Sequence, residues 1–141
     1  MVLDLDETLF QIKVESGWKQ DDWGVALPEQ KPKHLRPFHK EFLDFVREKF
    51  EVFIWTRSEG YAARQKCAWL GIDLATIPLV SGWDFMDEYY NKALYELWRQ
   101  ADHVVLIDDD KLHLLTNPRS QIVFTAWRGD ENDQELKHLI P

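Results

Sequence analysis

Short apolar runs alternate with helical patterns along most of this chain. Five runs are predicted as buried strands because they combine β-forming residues with polar or turn residues at their ends. They are Val2–Asp4, Glu51–Trp55, Ile77–Val80, Val104–Ile107 and Ile122–Phe124. Strands that alternate with helices of about a dozen residues favour a mostly parallel sheet with helices on both faces. The predicted fold class is therefore a Rossmann-like, three-layer α/β/α arrangement.

Four helices are predicted between and after these strands, because apolar residues recur there at helical spacing. The first should open at Arg36-Pro37, Ser58 should cap the second and Gly71 should end it, and Asn132 with Glu135 suggests a capping box for the last. Their inner faces are, in chain order, Phe38, Phe42, Phe45, Val46 and Phe50; Ala63, Cys67 and Leu70; Tyr90, Ala93, Leu94, Leu97 and Trp98; and Leu136, Leu139 and Ile140.

Residues 11–35 depart from this alternation, since they are polar and rich in turn residues. Within them Gln11–Val14 and Trp23–Leu27 could pair as a short hairpin, which would form a small insert. The whole chain has 141 residues, a length that suits one domain over 1–141 with a real core.

Composition narrows the possible partners. The formal net charge is −8, which argues against a nucleic-acid surface or an anionic membrane surface. An acidic protein also repels a phosphate substrate, and a divalent cation would resolve that conflict. The single cysteine, Cys67, excludes an intrachain disulfide and is predicted to lie in the core. No membrane span or signal-peptide pattern is present, so we expect a cytoplasmic location, or a nuclear one in a eukaryote.

Acidic side chains follow two of the predicted strands. Asp4 and Asp6 come directly after the first strand, and Asp108 and Asp109 come after the fourth. Thr56 closes the second strand. Because parallel strands bring their carboxyl ends to one edge of a sheet, these residues should meet there, where open α/β sheets bind ligands. Taken alone, each of these residues would more often belong to a turn or a helix cap, and it is their shared placement at strand ends that favours a site.

The predicted set matches the needs of phosphoryl transfer to a carboxylate, which are a nucleophile, an acid, a cation and donors for the phosphoryl oxygens. Asp4 would be the nucleophile and Asp6 the general acid and base. Hard oxygen ligands for Mg²⁺ would come from Asp4, Asp108 and Asp109 and from the backbone carbonyl of Asp6. Substrate-binding donors would come from Thr56, Arg57 and Lys92.

The segment Asp4-Leu5-Asp6-Glu7-Thr8-Leu9 resembles the first motif of the haloacid dehalogenase superfamily. The DLDETL form is typical of the branch that includes the small phosphatases of the RNA polymerase II C-terminal domain. Further segments resemble that branch in the same order: Arg36-Pro37 with Glu41-Phe42-Leu43, Thr56 as the second motif, Lys92 with Leu94 as the third, Ile107-Asp108-Asp109 as the fourth, and Trp127 with Glu135-Leu136 near the end.

This resemblance implies a Mg²⁺-dependent phosphatase that forms a phosphoaspartate on Asp4. With the short segment 11–35 in place of a large cap, the site should be open, as in relatives that act on phosphoserine in proteins. Other capless members take small molecules or nucleic-acid ends, so a phosphorylated metabolite remains an alternative substrate. Asp110 and Lys111 depart from the branch, which usually has Ser or Asn and then Pro there.

Two other functions compete with a phosphatase. A phosphoacceptor module of the receiver type also uses acids, Thr and Lys, but its paired acids precede the phosphorylated Asp, which is the opposite order. A non-catalytic binding domain on the same scaffold would be favoured by loss of Asp4, Asp6 or the pair Asp108 and Asp109, and all four are present.

Overall fold

A computed structural model of the chain describes residues 1–11, 35–83, 85–98 and 103–141. The strands are β1 Val2–Leu3, β2 Phe53–Thr56, β3 Leu79–Ser81, β4 Leu106–Asp108 and β5 Gln121–Val123. The helices are α1 His39–Lys49, α2 Gly60–Trp69, α3 Leu94–Leu97 and α4 Glu135–His138, with a 3-10 helix at Lys111–Leu115. Apart from Gln11, the hairpin predicted within 11–35 lies outside the described residues.

One sheet carries the fold, and its strand order is β3-β2-β1-β4-β5. Every pairing between these neighbours is parallel. The short β1 lies at the centre, where Leu3 stands opposite Ile54 on one side and Ile107 on the other. The predicted fold class, a mostly parallel sheet in an α/β arrangement, is confirmed.

The two faces of the sheet bury two apolar clusters, because successive side chains of a strand point to opposite faces. Leu3, Ile54 and Ile107 belong to the larger cluster, which also takes side chains from α1, α2 and α4. Val2, Trp55 and Leu106 belong to the smaller one, with Leu94 of α3. Each fully buried aliphatic side chain contributes roughly 1.5–3 kcal/mol. This two-sided burial holds the carboxyl ends of the central strands in place.

Cys67 lies in the larger cluster, as predicted. Burial raises the pKa of its thiol to about 12, so the thiolate form is suppressed. The side chain therefore acts as a small apolar residue.

The first helix begins later than predicted. Phe38 adopts a left-handed backbone conformation with φ of 63°, so regular helix starts only at His39. Phe42 and Val46 face the core as expected, but Phe50 is 47% exposed and Leu43 is buried instead. Phe38 and Phe45 are partly buried against the same core, so the predicted apolar face is largely correct but omits Leu43 and extends too far, to Phe50.

Both predicted side-chain caps are wrong. Helix α2 has Glu59 at its N-cap position and α4 has Gln134, and neither side chain caps its helix. The hydroxyl of Ser58 binds Asp6 instead, and the carboxylate of Glu135 accepts hydrogen bonds from the backbone N–H of Thr125. Tertiary partners have replaced the local ones. The stop at Gly71 is confirmed, since this residue has φ of 71° directly after α2.

The third helix is much shorter than predicted. Tyr90 has φ of 62° and Ala93 is extended, so only Leu94–Leu97 is helical. The side chain of Asn117 explains this, because its oxygen accepts from the N–H of Leu94 and its amide donates to the carbonyl of Lys92. Lys92 therefore lies on an extended segment before the helix, not in its first turn.

The described ends of the insert meet, since Phe10 forms an antiparallel bridge with Leu35. Within the described ranges, none of the helices has both the length and the apolar character needed to cross a bilayer.

Candidate active site

A cleft of about 1010 Å³ opens at the carboxyl edge of the sheet. Asp4 follows β1, Thr56 is the last residue of β2 and Asp108 is the last of β4, so three adjacent strands end at this edge. Asp4, Asp6, Asp108 and Asp109 all line the cleft. The residues that follow the parallel strands therefore meet at one edge of the sheet, as expected.

Asp4 leaves the sheet at a tight turn. Its N–H still donates to the carbonyl of Ile107 (3.0 Å), after which Glu7 adopts φ of 60° and the N–H groups of Leu9 and Phe10 both return to the carbonyl of Leu5. This turn places Asp4 and Asp6 on the cleft although β1 has only two residues.

Three carboxylates form a group that fits a metal ion. Asp4, Asp108 and Asp109 each offer one oxygen, and these oxygens all lie within 4.8 Å of one another. An all-oxygen, anionic donor set suits a hard cation such as Mg²⁺. The residues present therefore match the predicted cofactor.

Lys92 is buried between two of these acids. Its side chain is 1% exposed, and its ammonium donates to the carboxylate of Asp4 and to Asp108 Oδ2 at 2.6 Å. Burial by itself would lower the pKa of Lys92, but the charges of Asp4 and Asp108 outweigh it and raise the pKa. The lysine is therefore held in its charged form.

The acids outnumber this one cation. Burial, reinforced by the nearby charge of Asp108, raises the pKa of Asp4 well above its ordinary value, although Lys92 acts in the opposite direction. Burial and Asp108 likewise raise the pKa of Asp109 to about 6. A bound divalent cation would oppose both shifts, because its charge favours the ionised carboxylates.

A second group of side chains surrounds Asp6. Its Oδ2 accepts hydrogen bonds from the hydroxyls of Thr56 (3.1 Å) and Ser58 (2.6 Å). Its Oδ1 accepts from the ammonium of Lys66, which also donates to Ser58 Oγ at 2.7 Å. Both oxygens of this carboxylate are therefore anchored.

Thr8, in the turn after Asp6, contacts two of the three carboxylates that fit a metal ion. Its buried hydroxyl lies 3.1 Å from Asp4 Oδ2 and 3.3 Å from Asp109 Oδ1. With one proton to donate, it can serve either carboxylate. It thus fixes the side of Asp4 that Lys92 does not contact.

At the rim, Arg57 pairs with one of the residues that depart from the resembled branch. Its guanidinium donates to the carboxylate of Asp110 and lies 5.8 Å from the ring centroid of Trp83. Burial opposes ionisation of Asp110, but the N–H of Leu112 and the side chain of Arg57 lower its pKa. Asp110 therefore holds Arg57 beside the cleft, while Lys111 is exposed on the lining.

Behind the acids lies His113, whose side chain is fully buried. The N–H of Lys92 donates to its Nδ1 (3.2 Å), and its Nε2 lies 3.6 Å from Asp108 Oδ2. Burial lowers the pKa of His113 against the opposing charge of Asp108. Together with Asn117, this residue holds the extended segment that carries Lys92.

The fold brings together all seven residues that the sequence singled out for the site: Asp4, Asp6, Thr56, Arg57, Lys92, Asp108 and Asp109. The three predicted substrate donors already have partners in the protein. Thr56 donates to Asp6, Arg57 to Asp110, and Lys92 to Asp4 and Asp108. Their assigned roles stay predictions.

Sequence reasoning missed Thr8, Ser58, Lys66, His113 and Asn117 as parts of the site. One signal was available. Lys66 lies three residues after Ala63 and four before Leu70, so it shares their inward face, where a lysine is unusual. The contacts of His113 and Asn117 leave no comparable trace in the local pattern.

The parallel α/β sheet, the acid-lined cleft at its carboxyl edge and the buried lysine are the fold and the site expected of the haloacid dehalogenase class. The family model for NLI interacting factor-like phosphatases matches residues 1–141, so the chain belongs to that family. The resemblance of the DLDETL segment to this branch is thereby confirmed.

Curated relatives include phosphatases and translocase subunits. A probable C-terminal domain small phosphatase of Dictyostelium discoideum is 30% identical over 156 residues, which cover 100% of this chain and 48% of the relative. A mitochondrial import inner membrane translocase subunit tim50 of Neurospora crassa is 40% identical over 138 residues, which cover 95% of this chain and 24% of the relative. The chain thus spans less than half of the length of these proteins.

Among solved structures, Fcp1, described as an essential RNA polymerase II CTD phosphatase, is similar with a TM-score of 0.66 and 18% identity, over 89% of this chain and 41% of that one. Fission yeast Fcp1 bound to beryllium fluoride gives the same TM-score at 17% identity, over 97% of this chain and 47% of that one. These similarities show the shared fold.

Proposed function

We propose that this chain is a Mg²⁺-dependent phosphatase that hydrolyses phosphomonoesters through an aspartyl-phosphate on Asp4. One observation carries the proposal. Asp4 lies at the floor of an open cleft where the carboxylates of Asp108 and Asp109 and the ammonium of Lys92 converge on it, and Asp6 lines the same cleft.

The reaction has two steps. An oxygen of Asp4 attacks phosphorus, the bond from phosphorus to the ester oxygen breaks, and that oxygen takes a proton from Asp6. A water then attacks the phosphoryl group and gives its proton to Asp6, and the bond between phosphorus and Asp4 breaks. Asp4 and Asp6 return to their starting states, and the products are an alcohol and inorganic phosphate.

Charge governs both steps. Asp4, Asp108 and Asp109, with the backbone carbonyl of Asp6, would hold Mg²⁺, which when bound supplies positive charge against the acids and the phosphoryl oxygens. Lys92 neutralises part of the charge on Asp4 and adds a donor that water cannot displace, because the lysine is buried. Without such compensation, an anionic ester would be repelled by the cleft.

A phosphoprotein, with phosphoserine or phosphothreonine, is the first substrate class to test. The short segment 11–35 in place of a large cap predicts an open site. Similar proteins are named as a probable C-terminal domain small phosphatase and as an RNA polymerase II CTD phosphatase. A phosphorylated metabolite or a nucleic-acid end is the alternative class. The cytoplasmic location stays a prediction, and the tim50 relatives, which are named for mitochondrial import, favour a different compartment.

A non-catalytic binding module is the second candidate function. Its support comes from the tim50 relatives, whose names describe a translocase subunit and no phosphatase. Such a module would use the same domain to contact a protein partner. The assembled acids and Lys92 favour the phosphatase over this candidate.

Hydrolysis of p-nitrophenyl phosphate should test the reaction first. We expect turnover with Mg²⁺, loss of turnover with EDTA, and loss of turnover in the Asp4→Asn variant. Asp44→Asn is the matched control, because Asp44 is an exposed aspartate on α1. Trapping of labelled phosphate on the wild type, but not on Asp4→Asn, would locate the intermediate.

Wild-type activity equal to that of Asp4→Asn would refute the aspartyl-phosphate mechanism. A folded protein that binds Mg²⁺ and hydrolyses no phosphate ester would favour the binding module. If turnover is found, a panel of phosphopeptides, sugar phosphates, nucleotides and phosphorylated polynucleotide ends should identify the substrate class.

A further inference from the structure

Asp6 has a partner that the haloacid dehalogenase motifs do not supply. The ammonium of Lys66, on α2, forms an ion pair with Asp6 Oδ1 and donates to Ser58 Oγ at 2.7 Å. Lys66 and Asp6 both line the cleft, and their side chains are 14% and 20% exposed. The pair therefore lies where an ester and a water must approach.

The three donors around Asp6 act on different oxygens. Thr56 and Ser58 donate to Oδ2, and Lys66 donates to Oδ1. Anchoring a carboxylate at both oxygens fixes the rotation of its plane, which one-sided hydrogen bonds leave free. A proton-transfer group needs such a fixed plane, because a displacement of about 1 Å can lower a rate by about a hundredfold.

Lys66 is itself held in place. Its ammonium lies 5.7 Å from the ring centroid of Phe10, within the range of a cation–π contact. The ring of Phe10 stacks in turn on Trp69, which lies one turn further along α2, with centroids 5.4 Å apart and planes at 13°. Because Phe10 belongs to the turn that follows Asp6, this stack couples α2 to the loop that carries the acid.

A purely stabilising ion pair is the competing explanation, and the geometry does not favour it. Partly exposed ion pairs contribute about 0–1 kcal/mol to folding, which does not account for a lysine on the inward face of a helix. A positioning role accounts for three observations: Lys66 lies on the inward face of α2, both oxygens of Asp6 are hydrogen-bonded, and Lys66 also contacts Ser58.

We infer that Lys66 is a positioning residue, which orients the carboxyl group of Asp6 for both proton transfers of the proposed reaction. The inference rests on the proposed function. In the first step the protonated form of Asp6 gives its proton to the ester oxygen as the bond to phosphorus breaks, and Asp6 becomes the carboxylate that pairs with Lys66. In the second step Asp6 takes a proton from the water that attacks the aspartyl-phosphate. Lys66 neither gains nor loses a proton in either step.

Two aryl phosphates of similar size separate these roles. Dinitrophenolate leaves without a proton, whereas phenolate needs one, so only phenyl phosphate depends on Asp6 in the first step. For Lys66→Met we expect kcat/KM to fall about tenfold with phenyl phosphate and to stay within about twofold of wild type with 2,4-dinitrophenyl phosphate. With either ester the aspartyl-phosphate should break down about tenfold more slowly. More labelled enzyme should therefore accumulate with 2,4-dinitrophenyl phosphate, whose first step is unaffected.

The controls address folding and charge. Arg64→Met removes a cation from an exposed position on the same helix and should leave all these values unchanged. Lys66→Arg keeps a donor to Asp6 and should recover part of the loss. Ser58→Ala keeps the ion pair but removes one anchor, so it should show the same pattern with a smaller change. Unfolding midpoints and binding of beryllium fluoride with Mg²⁺ should match wild type in Lys66→Met.

Equal losses of kcat/KM with both esters would overturn the inference, since they would indicate damage to binding or folding. Unchanged phenyl phosphate kinetics and unchanged breakdown of the labelled enzyme would overturn it as well. An inert wild-type protein would instead refute the proposed function, and the role of Lys66 would fall with it.

Discussion

Among the residues that the structure describes, Arg36 and Lys92 are buried cations that each lie between two carboxylates, and they differ in what surrounds them. Arg36 is fully buried and binds Asp133 and Glu135, whereas Lys92 is 1% exposed and binds Asp4 and Asp108. The first group ties the turn after β1 to the C-terminal segment. The second group forms the floor of the cleft.

Around Arg36 every side-chain nitrogen has a hydrogen-bond partner. Its Nε and one terminal nitrogen bind the two oxygens of Asp133, each at 2.9 Å, and the same terminal nitrogen binds Glu135 at 2.6 Å. The other terminal nitrogen donates to the carbonyl of Thr8 at 3.0 Å. These hydrogen bonds lower the pKa of Asp133, so the carboxylate is stabilised as an anion.

Around Lys92 the charge is not balanced. Burial and the charge of Asp108 raise the pKa of Asp4, and Asp109 adds a third acid with a pKa of about 6. The comparison teaches that a buried ion pair is not by itself a sign of function. The two groups differ in their partners: Arg36 binds both oxygens of Asp133, whereas Asp4, Asp108 and Asp109 lie together with one buried lysine.

Turnover should separate the two groups most strongly. In Lys92→Met, hydrolysis of p-nitrophenyl phosphate should fall by at least about a hundredfold, because a buried charge that faces the reacting phosphoryl group is lost. In Arg36→Met, the rate per folded molecule should stay within about threefold of wild type. Steady-state kinetics well below the unfolding midpoint measures both. Equal losses would mean that Arg36 also serves the reaction.

Stability should separate them in the opposite direction. Arg36→Met should lower the free energy of unfolding by about 3 kcal/mol, with or without Mg²⁺, because Asp133 and Glu135 lose their shared partner. Lys92→Met should be destabilising in EDTA and less so with Mg²⁺, which can replace the missing charge. Urea unfolding in both buffers tests this. Rescue of Arg36→Met by Mg²⁺ would contradict it.

Metal binding should stabilise the protein through the acids around Lys92 and not through the group around Arg36. At a Mg²⁺ concentration about 100 times its dissociation constant, the free energy of unfolding should rise by about 2.7 kcal/mol. Asp109→Asn should abolish most of this gain, and Asp133→Asn should keep it. Thermal unfolding across a Mg²⁺ titration, with NaCl at matched ionic strength, gives the comparison. A gain that survives in Asp109→Asn would place the ion elsewhere.

The smallest expected effect concerns how the free energy of unfolding depends on pH when EDTA is present. Since the pKa of Asp109 is raised from 3.8 to about 6, the folded state binds more protons than the unfolded state between these values. Stability should therefore fall as pH rises through that window, by about 1 kcal/mol for this carboxyl group, because solvent reaches part of it. Asp109→Asn should remove this part of the slope.

For Asp133 the expected change of stability with pH has the opposite sign. Its pKa is lowered in the folded state, so its stabilising contribution is present above its ordinary pKa of 3.8 and is lost as pH falls through the lowered value. Asp133→Asn should therefore flatten the loss of stability in acid. Urea unfolding from pH 3 to pH 7 measures both slopes, and parallel curves for the two variants would contradict the assignment.

The strands and the strand-end acids were predictable because their signals are local. An apolar run followed by Asp4, and another followed by Asp108, can be read from a few adjacent residues. The caps were predicted wrongly for the same reason. Ser58 and Glu135 have side chains suited to local capping, but partners distant in sequence bind them instead.

The extent of the third helix was predicted wrongly for a related reason. Its apolar spacing favoured a helix from Tyr90 onward, yet Asn117 holds the segment around Lys92 extended by bonds that span more than twenty positions. The contact of Lys66 with Asp6 spans 60 positions. No pattern within a single window of sequence encodes contacts of this kind.

The sequence alone determined where strands occur along the chain and which residue types follow them. Hydrophobic periodicity and side-chain chemistry can be read from neighbouring residues. Only the tertiary structure decided which of two similar buried cations lies against the acids of the cleft, and which carboxylate receives Lys66. The reason is that burial and charge proximity, which set pKa values and donor geometry, arise when segments distant in the chain pack together.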